Sequence, residues 1–179
     1  MTMHNKAVFL DRDGVINIDK SFVHKIKDLE FVPGIVDVLR YLQEKGYLLI
    51  IITNQSGIAR GYYKIRDFYN LTNYMTNKLK ESGINITATF FCPHYPKGKI
   101  KEFSFECNCR KPKPGMVISA ISIFNINPKN SWLVGDKDSD ILLGKALGIK
   151  TIRLKSIYEF NVNPDYLVHD VKEIINIIK

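Results

Sequence analysis

The sequence predicts an α/β protein, a parallel sheet with helices on both faces. Three observations carry this. Short apolar runs alternate with stretches of helical periodicity along the chain. The run 47–53 is apolar throughout rather than at every second residue, as a strand covered on both faces must be. Polar and acidic residues gather where the runs stop, which is where sheets of this kind place their sites.

The first strand is read at 6–11, where Ala7, Val8, Phe9 and Leu10 run into Asp11. A helix over 34–45 follows. Ile35, Val38, Leu39 and Leu42 recur at helical spacing, Pro33 stands at its start and Gly46 at its end. "YLLIIIT", 47–53, is the second strand. A long polar helix over 64–82 stops at Gly83, and the third strand is read at 84–92. After a stretch rich in Lys, Pro, Gly and Cys, a helix over 114–126 opens at Pro114, a residue suited to a first helical turn. The fourth strand is 131–136. A short helix over 138–147 is closed by Gly148, and the fifth strand is 150–154. "DYLVHD" is a short apolar piece, and 171–178 reads as a terminal helix. The order is Rossmann-like. No repeat, low-complexity segment or linker divides the chain, so one domain over 1–179 is expected. The loop 92–111 is long for a compact domain, and such loops are commonly functional.

Composition narrows the function. The 179 residues carry 26 Lys and Arg against 18 Asp and Glu, a net charge of +8. The lysines are scattered rather than blocked, which fits solvated faces and the attraction of small anions better than a nucleic-acid surface. No run approaches the ~18 apolar residues of a membrane helix. The opening "MTMHNKAVFLDRDG" is unlike a secretory leader, because charges interrupt its short apolar stretch. Cytoplasmic residence without membrane attachment is expected. The three cysteines, Cys92, Cys107 and Cys109, are odd in number and close together, which argues against a disulfide framework.

The strand ends carry the chemistry. The first ends in Asp11-Arg12-Asp13-Gly14, the second in Thr53-Asn54-Gln55-Ser56-Gly57, and the fourth in Gly135-Asp136-Lys137-Asp138 with Asp140 beyond. Lys111 precedes the helix at 114. Carboxylates converging at one sheet edge repel unless a cation lies between them, and a hard divalent ion such as Mg²⁺ takes oxygen ligands and couples to phosphate. Thr53 and the amides after it could grip phosphoryl oxygens, and Lys111 could neutralise charge. A rigid strand end suits Asp11 as a nucleophile that forms an aspartyl-phosphate. Asp13, where the chain turns, suits a general acid that later serves as base. Alone, Asp-x-Asp-Gly reads equally as a surface turn.

"DRDG", "TN", "KPKP" and "GDKDSD", in this order over residues 11 to 140, resemble the signatures of the haloacid dehalogenase superfamily of phosphatases. The resemblance implies a haloacid dehalogenase-like fold. It makes Asp11 the nucleophile, Asp13 the acid/base, and Thr53 and Lys111 the phosphate-binding residues. It also implies that Asp11, the Asp13 carbonyl and Asp136 hold Mg²⁺, with Asp140 a further ligand or a partner behind the ligands. Lys113 is a rival to Lys111, but the lysine before Pro-x-Pro fits the family. The spacings leave no room for a large cap domain.

"DRDGVIN", "TNQSGIARGYY", "CPHYP", "CNCRKPKPGM" and "VGDKDSD" are similar, more narrowly, to the heptose bisphosphate phosphatase family, with Val15 where that family commonly has Thr. This implies a small sugar bisphosphate substrate, loss of its C7 phosphate, and a heptose 1-phosphate product for nucleotide-heptose and surface polysaccharide synthesis. It implies a substrate pocket of Asn17, Thr53, Asn54, Gln55, Ser56, Arg60, Arg110, Lys111 and Lys137, with Arg110 and Lys137 toward the remote phosphate. Cys92, His94, Cys107 and Cys109 offer three thiolates and one imidazole, a closed tetrahedral shell for structural Zn²⁺. Free thiols beside a surface histidine are the plainer alternative. His4, His24 and His169 read as ordinary surface or core residues. The rival functions are a histidinol-phosphate phosphatase, which usually has an acidic residue at the place of Ser56, a nucleic-acid 3′-phosphatase, and a silent zinc module. A monomer is expected, since no large apolar surface stripe stands out.

Overall fold

The computed structural model describes residues 4–159 and 161–179. Residues 1–3 of the opening segment, and Phe160, lie outside the described residues. Six strands form one sheet: β1 Ala7–Leu10, β2 Leu48–Asn54, β3 Ala88–Cys92, β4 Trp132–Gly135, β5 Lys150–Leu154 and β6 Tyr166–Val168. Their order is β3-β2-β1-β4-β5-β6, and every neighbouring pair is parallel. The helices are α1 Ile35–Glu44, α2 Ile65–Glu81, α3 Gly115–Phe124, α4 Asp138–Ala146 and α5 Ile174–Ile177.

The two-residue period of a strand decides which helix each side chain meets. Val8 and Leu10 of β1 point to one face, with Leu49, Ile51 and Val134, and are covered by α1, part of α2 and the C-terminal segment. Ala7 and Phe9 point to the other face, with Ile50, Ile52 and Leu133, and are covered by α3 and α4. Both faces are dry, which explains strands that are apolar without alternation. The α1 residues read as its apolar stripe, Ile35, Val38, Leu39 and Leu42, are all fully buried.

Differences from the sequence reading are local. Residues 84–87 precede β3 rather than belonging to it. "YLV" within the short apolar piece is a sixth strand, paired to β5 in the register Ile152 to Tyr166. The terminal helix divides into a 3-10 turn, Val171–Glu173, and the single turn α5. The connection from Gly14 to α1 holds only one 3-10 turn, Ile26–Asp28, and no cap domain. Among the described residues, no helix is long and apolar enough to cross a membrane.

The topology fixes where a site can form. From β1 the chain moves outward through β2 and β3, then returns to β4 on the other side of β1. The carboxyl ends of β1 and β4 therefore flank the point where strand order reverses, the crevice such sheets use for ligands.

Candidate functional site

Asp11 leaves β1 and Asp136 leaves β4, strands paired directly with each other. One carboxylate oxygen from each of Asp11, Asp136 and Asp140 lies within 4.8 Å of the others, and all three residues are buried. Lys111 is buried among them. Its Nζ stands 3.0 Å from Asp11 Oδ1 and 2.6 Å from Asp140 Oδ1, and donates to the Ile52 carbonyl at 3.0 Å. Burial works against the ammonium, but Asp11 and Asp140 outweigh it and raise its pKa. Lys113, its rival in the sequence, sits on the surface paired with Glu106 at 2.7 Å. Asn54 clasps the Lys111 backbone, donating to its carbonyl and accepting from its amide.

A divalent cation fits this set. Both carboxylate oxygens of Asp136 are buried without a hydrogen-bond partner, and the Lys137 ammonium comes no nearer than 3.9 Å to Oδ2, a costly state for an anion. Burial, then the neighbouring Asp11 charge, push Asp136 up to about 7. Burial pushes Asp11 up to about 6, with Lys111 opposing and Asp140 adding to the rise. Oxygen donors of this kind suit Mg²⁺. Asp140 is tied at both oxygens, to Lys111 and to the backbone amide of Lys137 at 3.2 Å. Asp140 stands in the same cluster as Asp11 and Asp136 and holds Lys111 from there. Gly14 adopts φ +92°, and a Cβ there would stand 2.5 Å from Asp136 Oδ2, so the turn after Asp13 requires glycine on both counts.

Asp13 is held at both oxygens. Arg12 donates to Oδ1 at 3.0 Å and to Oδ2 at 2.9 Å, Asn17 Nδ2 donates to Oδ1 at 3.0 Å, and Gln55 Nε2 donates to Oδ2 at 3.0 Å. Gln55 Nε2 also donates to Thr53 Oγ1 at 2.8 Å, and the Tyr63 hydroxyl donates to Gln55 Oε1. Burial keeps the Tyr63 phenol protonated by raising its pKa. Asn17 is fully buried, so the structure places it behind Asp13 and not on the wall of a recess. His24, read as ordinary, stacks on Tyr63 with centroids 4.8 Å apart.

A recess of about 490 Å³ opens over Asp13 and Lys111, lined also by Asp19, Asn54, Gln55, Ser56, Arg60, Arg110, Lys137 and Tyr158. Lys137 lies 3.1 Å from Asp19 and 4.5 Å from the centre of the Tyr158 ring, and Tyr158 donates to the same Asp19 oxygen at 2.9 Å. Burial opposes ionisation of Asp19, but Lys137 and the hydrogen bonds from Ser21 and Tyr158 hold its carboxyl below the usual range. Across the recess, the guanidinium of Arg60 stacks 3.9 Å from the Tyr95 ring centre, with that of Arg110 at 5.3 Å. Arg12, Asp19, Tyr63 and Tyr158 were not singled out from the sequence. Asp19 lies in the connection between β1 and α1, and its pairing with Lys137 spans 118 positions, which no local pattern signals.

Beside the recess, Cys92, His94, Cys107 and Cys109 converge. The sulfurs stand 3.0, 3.4 and 3.5 Å apart, and His94 Nδ1 is 3.2 Å from Cys109 and 3.7 Å from Cys92. These are not disulfides, which need about 2.05 Å. A tetrahedron with Zn–S of ~2.3 Å has edges of about 3.8 Å, so the four atoms approach the size of a zinc shell.

A family model described as HAD-hydrolase-like matches residues 108–174. The chain superposes on a HAD-like phosphatase structure from Mesorhizobium loti with a TM-score of 0.87 and 27% identity, covering 98% of this chain and 86% of the other. It superposes on a D,D-heptose 1,7-bisphosphate phosphatase from B. bronchiseptica, complexed with magnesium and phosphate. There the TM-score is 0.84 and the identity 25%, over 97% of each chain. Sheet, strand-end carboxylates and these matches define the class: a HAD-type phosphohydrolase. Within it the chain belongs to the D-glycero-D-manno-heptose-1,7-bisphosphate 7-phosphatase family. It is 49% identical over 150 residues to the D-glycero-beta-D-manno-heptose-1,7-bisphosphate 7-phosphatase of Haemophilus ducreyi, covering 83% of this chain and 82% of the relative. It is also 49% identical, over 148 residues, to the D-glycero-alpha-D-manno-heptose-1,7-bisphosphate 7-phosphatase of Photorhabdus laumondii, covering 82% of this chain and 81% of that relative.

Proposed function

We propose that this protein removes the C7 phosphate of D-glycero-D-manno-heptose 1,7-bisphosphate through an aspartyl-phosphate on Asp11. The observation that carries the reading is the pair Asp11 and Lys111, buried together at the strand-order reversal, 3.0 Å apart, beneath a recess with cationic walls.

Asp11 attacks phosphorus with a carboxylate oxygen, and the bond from phosphorus to the C7 oxygen breaks. Asp13 gives its proton to that oxygen, so the sugar departs as an alcohol. Water then attacks the phosphorus, Asp13 takes its proton, and the bond to Asp11 breaks. Inorganic phosphate leaves and both carboxylates return to their first state. Thr53 and Lys111 hold the transferring oxygens, Lys111 as a fixed point charge. Mg²⁺, held by Asp11, Asp136 and the Asp13 carbonyl, supplies positive charge to the phosphoryl oxygens when bound. Asp140 holds Lys111 in place.

Asn54, Gln55, Ser56, Arg60, Arg110 and Lys137 face the substrate, with Arg110 and Lys137 toward the C1 phosphate. Asn17 acts through Asp13. Cys92, His94, Cys107 and Cys109 hold a structural Zn²⁺ that orders a loop with little apolar cover of its own. The product, heptose 1-phosphate, suits nucleotide activation on the way to surface polysaccharide. A monomeric, cytoplasmic protein without a nucleic-acid partner is the corresponding picture; its three thiols suit a reducing compartment.

Phosphate release with Mg²⁺ on both anomers of heptose 1,7-bisphosphate, histidinol phosphate and fructose 1,6-bisphosphate tests the reading. Relatives of equal identity carry alpha and beta names, so the two anomers are separate arms. A tenfold or greater preference for one heptose anomer is expected on the scale of a few well-placed contacts. Preference for histidinol phosphate overturns the substrate and keeps the mechanism.

A further inference from the structure

We propose that Tyr63 and Gln55 form a relay that positions the general acid Asp13 and the phosphate-binding hydroxyl of Thr53 together; this rests on the roles given to Asp13 and Thr53 above. The stretch from Thr53 to Tyr63 thereby acts on the acid as well as lining the pocket.

Gln55 is 2% exposed and Tyr63 is 7% exposed, so neither amide nor phenol can leave its partners unmet at low cost. The direction of the chain of hydrogen bonds follows from chemistry. Once Asp13 has given up its proton both its oxygens only accept, so the side of the Gln55 amide that meets Asp13 Oδ2 in that state must be its NH₂ group. The reverse orientation would set a carbonyl oxygen against a carboxylate. The second N–H of that NH₂ reaches Thr53 Oγ1, and the Gln55 carbonyl oxygen is left to accept from Tyr63. One amide therefore ties the acid to the phosphate grip. Because the Thr53 oxygen accepts from Gln55, its own hydrogen is free to point at a phosphoryl oxygen.

Tyr63 is itself held firmly. Its ring lies against the backbone of Gly57, where a Cβ would collide with Cε1. On another side it stacks on His24, nearly coplanar at 7°. It packs with Ile58 and Phe68 in a small separate cluster. Packing fixes the ring, and the ring fixes the hydroxyl. Phenylalanine would satisfy all of that packing, so only the contact to Gln55 accounts for the hydroxyl. Gln55 and Tyr63 are positioning residues, since the acid itself is Asp13.

The test uses kcat/KM with Mg²⁺ on two substrates, the heptose bisphosphate and 4-nitrophenyl phosphate. The sugar alkoxide needs a proton to leave, whereas nitrophenolate departs without one. A displaced acid therefore penalises the sugar selectively, while a disturbed Thr53 penalises both. For Tyr63→Phe the loss on the sugar is expected to exceed the loss on the aryl phosphate by about tenfold, a fraction of what a general acid contributes. Gln55→Leu, which removes the donor itself, is expected to show the same selectivity more strongly. Equal losses on both substrates, or no loss on either, overturn the relay. Asp13→Asn is run beside them. If it is selective and the relay variants are not, the relay alone fails. If it too is unselective, the acid assignment fails and the relay falls with it.

Discussion

At the residue scale the central fact is a buried lysine between carboxylates. Lys111 is 3% exposed and pairs with Asp11 and Asp140 at once. Replacing it with methionine keeps the volume but leaves two buried carboxylates facing each other. The expected cost is about 3–5 kcal/mol, together with loss of turnover. Denaturant unfolding checks the first and phosphate release the second. Asp11→Asn behaves oppositely. It removes a carboxyl whose ionisation burial resists, and it leaves Lys111 paired with Asp140. The metal-free variant should melt at or slightly above the parent temperature with turnover abolished; residual activity above a few per cent would contradict the nucleophile. Asp11 and Asp13 were legible because a strand end exposes its polar residues to one edge, and Lys111, in the loop before α3, was legible from its place before Pro-x-Pro. Arg12 was not. Beside two aspartates it reads as surface charge, yet its side chain is fully buried and turns back to donate to the Val23 carbonyl at 2.7 Å. Asn17 was read as a pocket residue, and local bonds instead fold the chain so that it supports Asp13.

At the scale of elements, strand pairing brings the candidate Mg²⁺ carboxylates together, and one loop gathers the four candidate zinc ligands. Burial at the ends of the neighbouring strands β1 and β4 raises both carboxyls, Asp11 to about 6 and Asp136 to about 7, and the Asp11 charge adds to the rise at Asp136. Protons therefore compete with Mg²⁺ across this range. Above pH 7 both groups are ionised and binding is unhindered. As pH falls through 7 and then 6, each must give up a proton to the solvent before binding. Calorimetry should show Mg²⁺ affinity about tenfold or more weaker at pH 6 than at pH 8, with proton release on binding. A flat profile would place the cation elsewhere. The zinc loop is a separate case. Cys107→Ser should release zinc and lower the melting temperature by several degrees, as loss of a structural metal does. An unchanged melt with metal retained would remove the site. The main strands and helices were legible from periodicity, since burial on two faces leaves a plain apolar run. β6 was not. Its three residues depend on pairing with β5, and on Asp165, which accepts from the Thr151 amide and hydroxyl at 2.7 Å each. Such support comes from residues 14 positions away and leaves no periodic trace.

At the scale of the whole molecule, an uncapped site and a net charge of +8 act together. Among the described residues no cap domain covers the recess, so capture depends on what the surface and the recess offer from a distance. A bisphosphate is strongly anionic, and the recess presents Arg60, Arg110 and Lys137 along its walls. A positive field over an open cleft raises the rate of encounter, and salt screens it, with a Debye length near ~10 Å at 0.1 M. The chemical step lies beneath this field, among groups that are buried and therefore little screened. The two parts separate by kinetics. Raising ionic strength from about 0.02 to 0.3 M should lower kcat/KM for the heptose bisphosphate on the order of fivefold while kcat stays level. The same change should have a smaller effect, about twofold, on a singly phosphorylated, otherwise neutral sugar, which carries about half the charge. A nucleic-acid enzyme would behave differently, because each neutralised phosphate releases counterions and affinity falls steeply with salt. Retention of duplex or single-stranded oligonucleotide at 0.15 M salt would therefore count against the small-substrate reading. A salt-independent kcat/KM would show that the recess, and not the field of the molecule, captures the substrate.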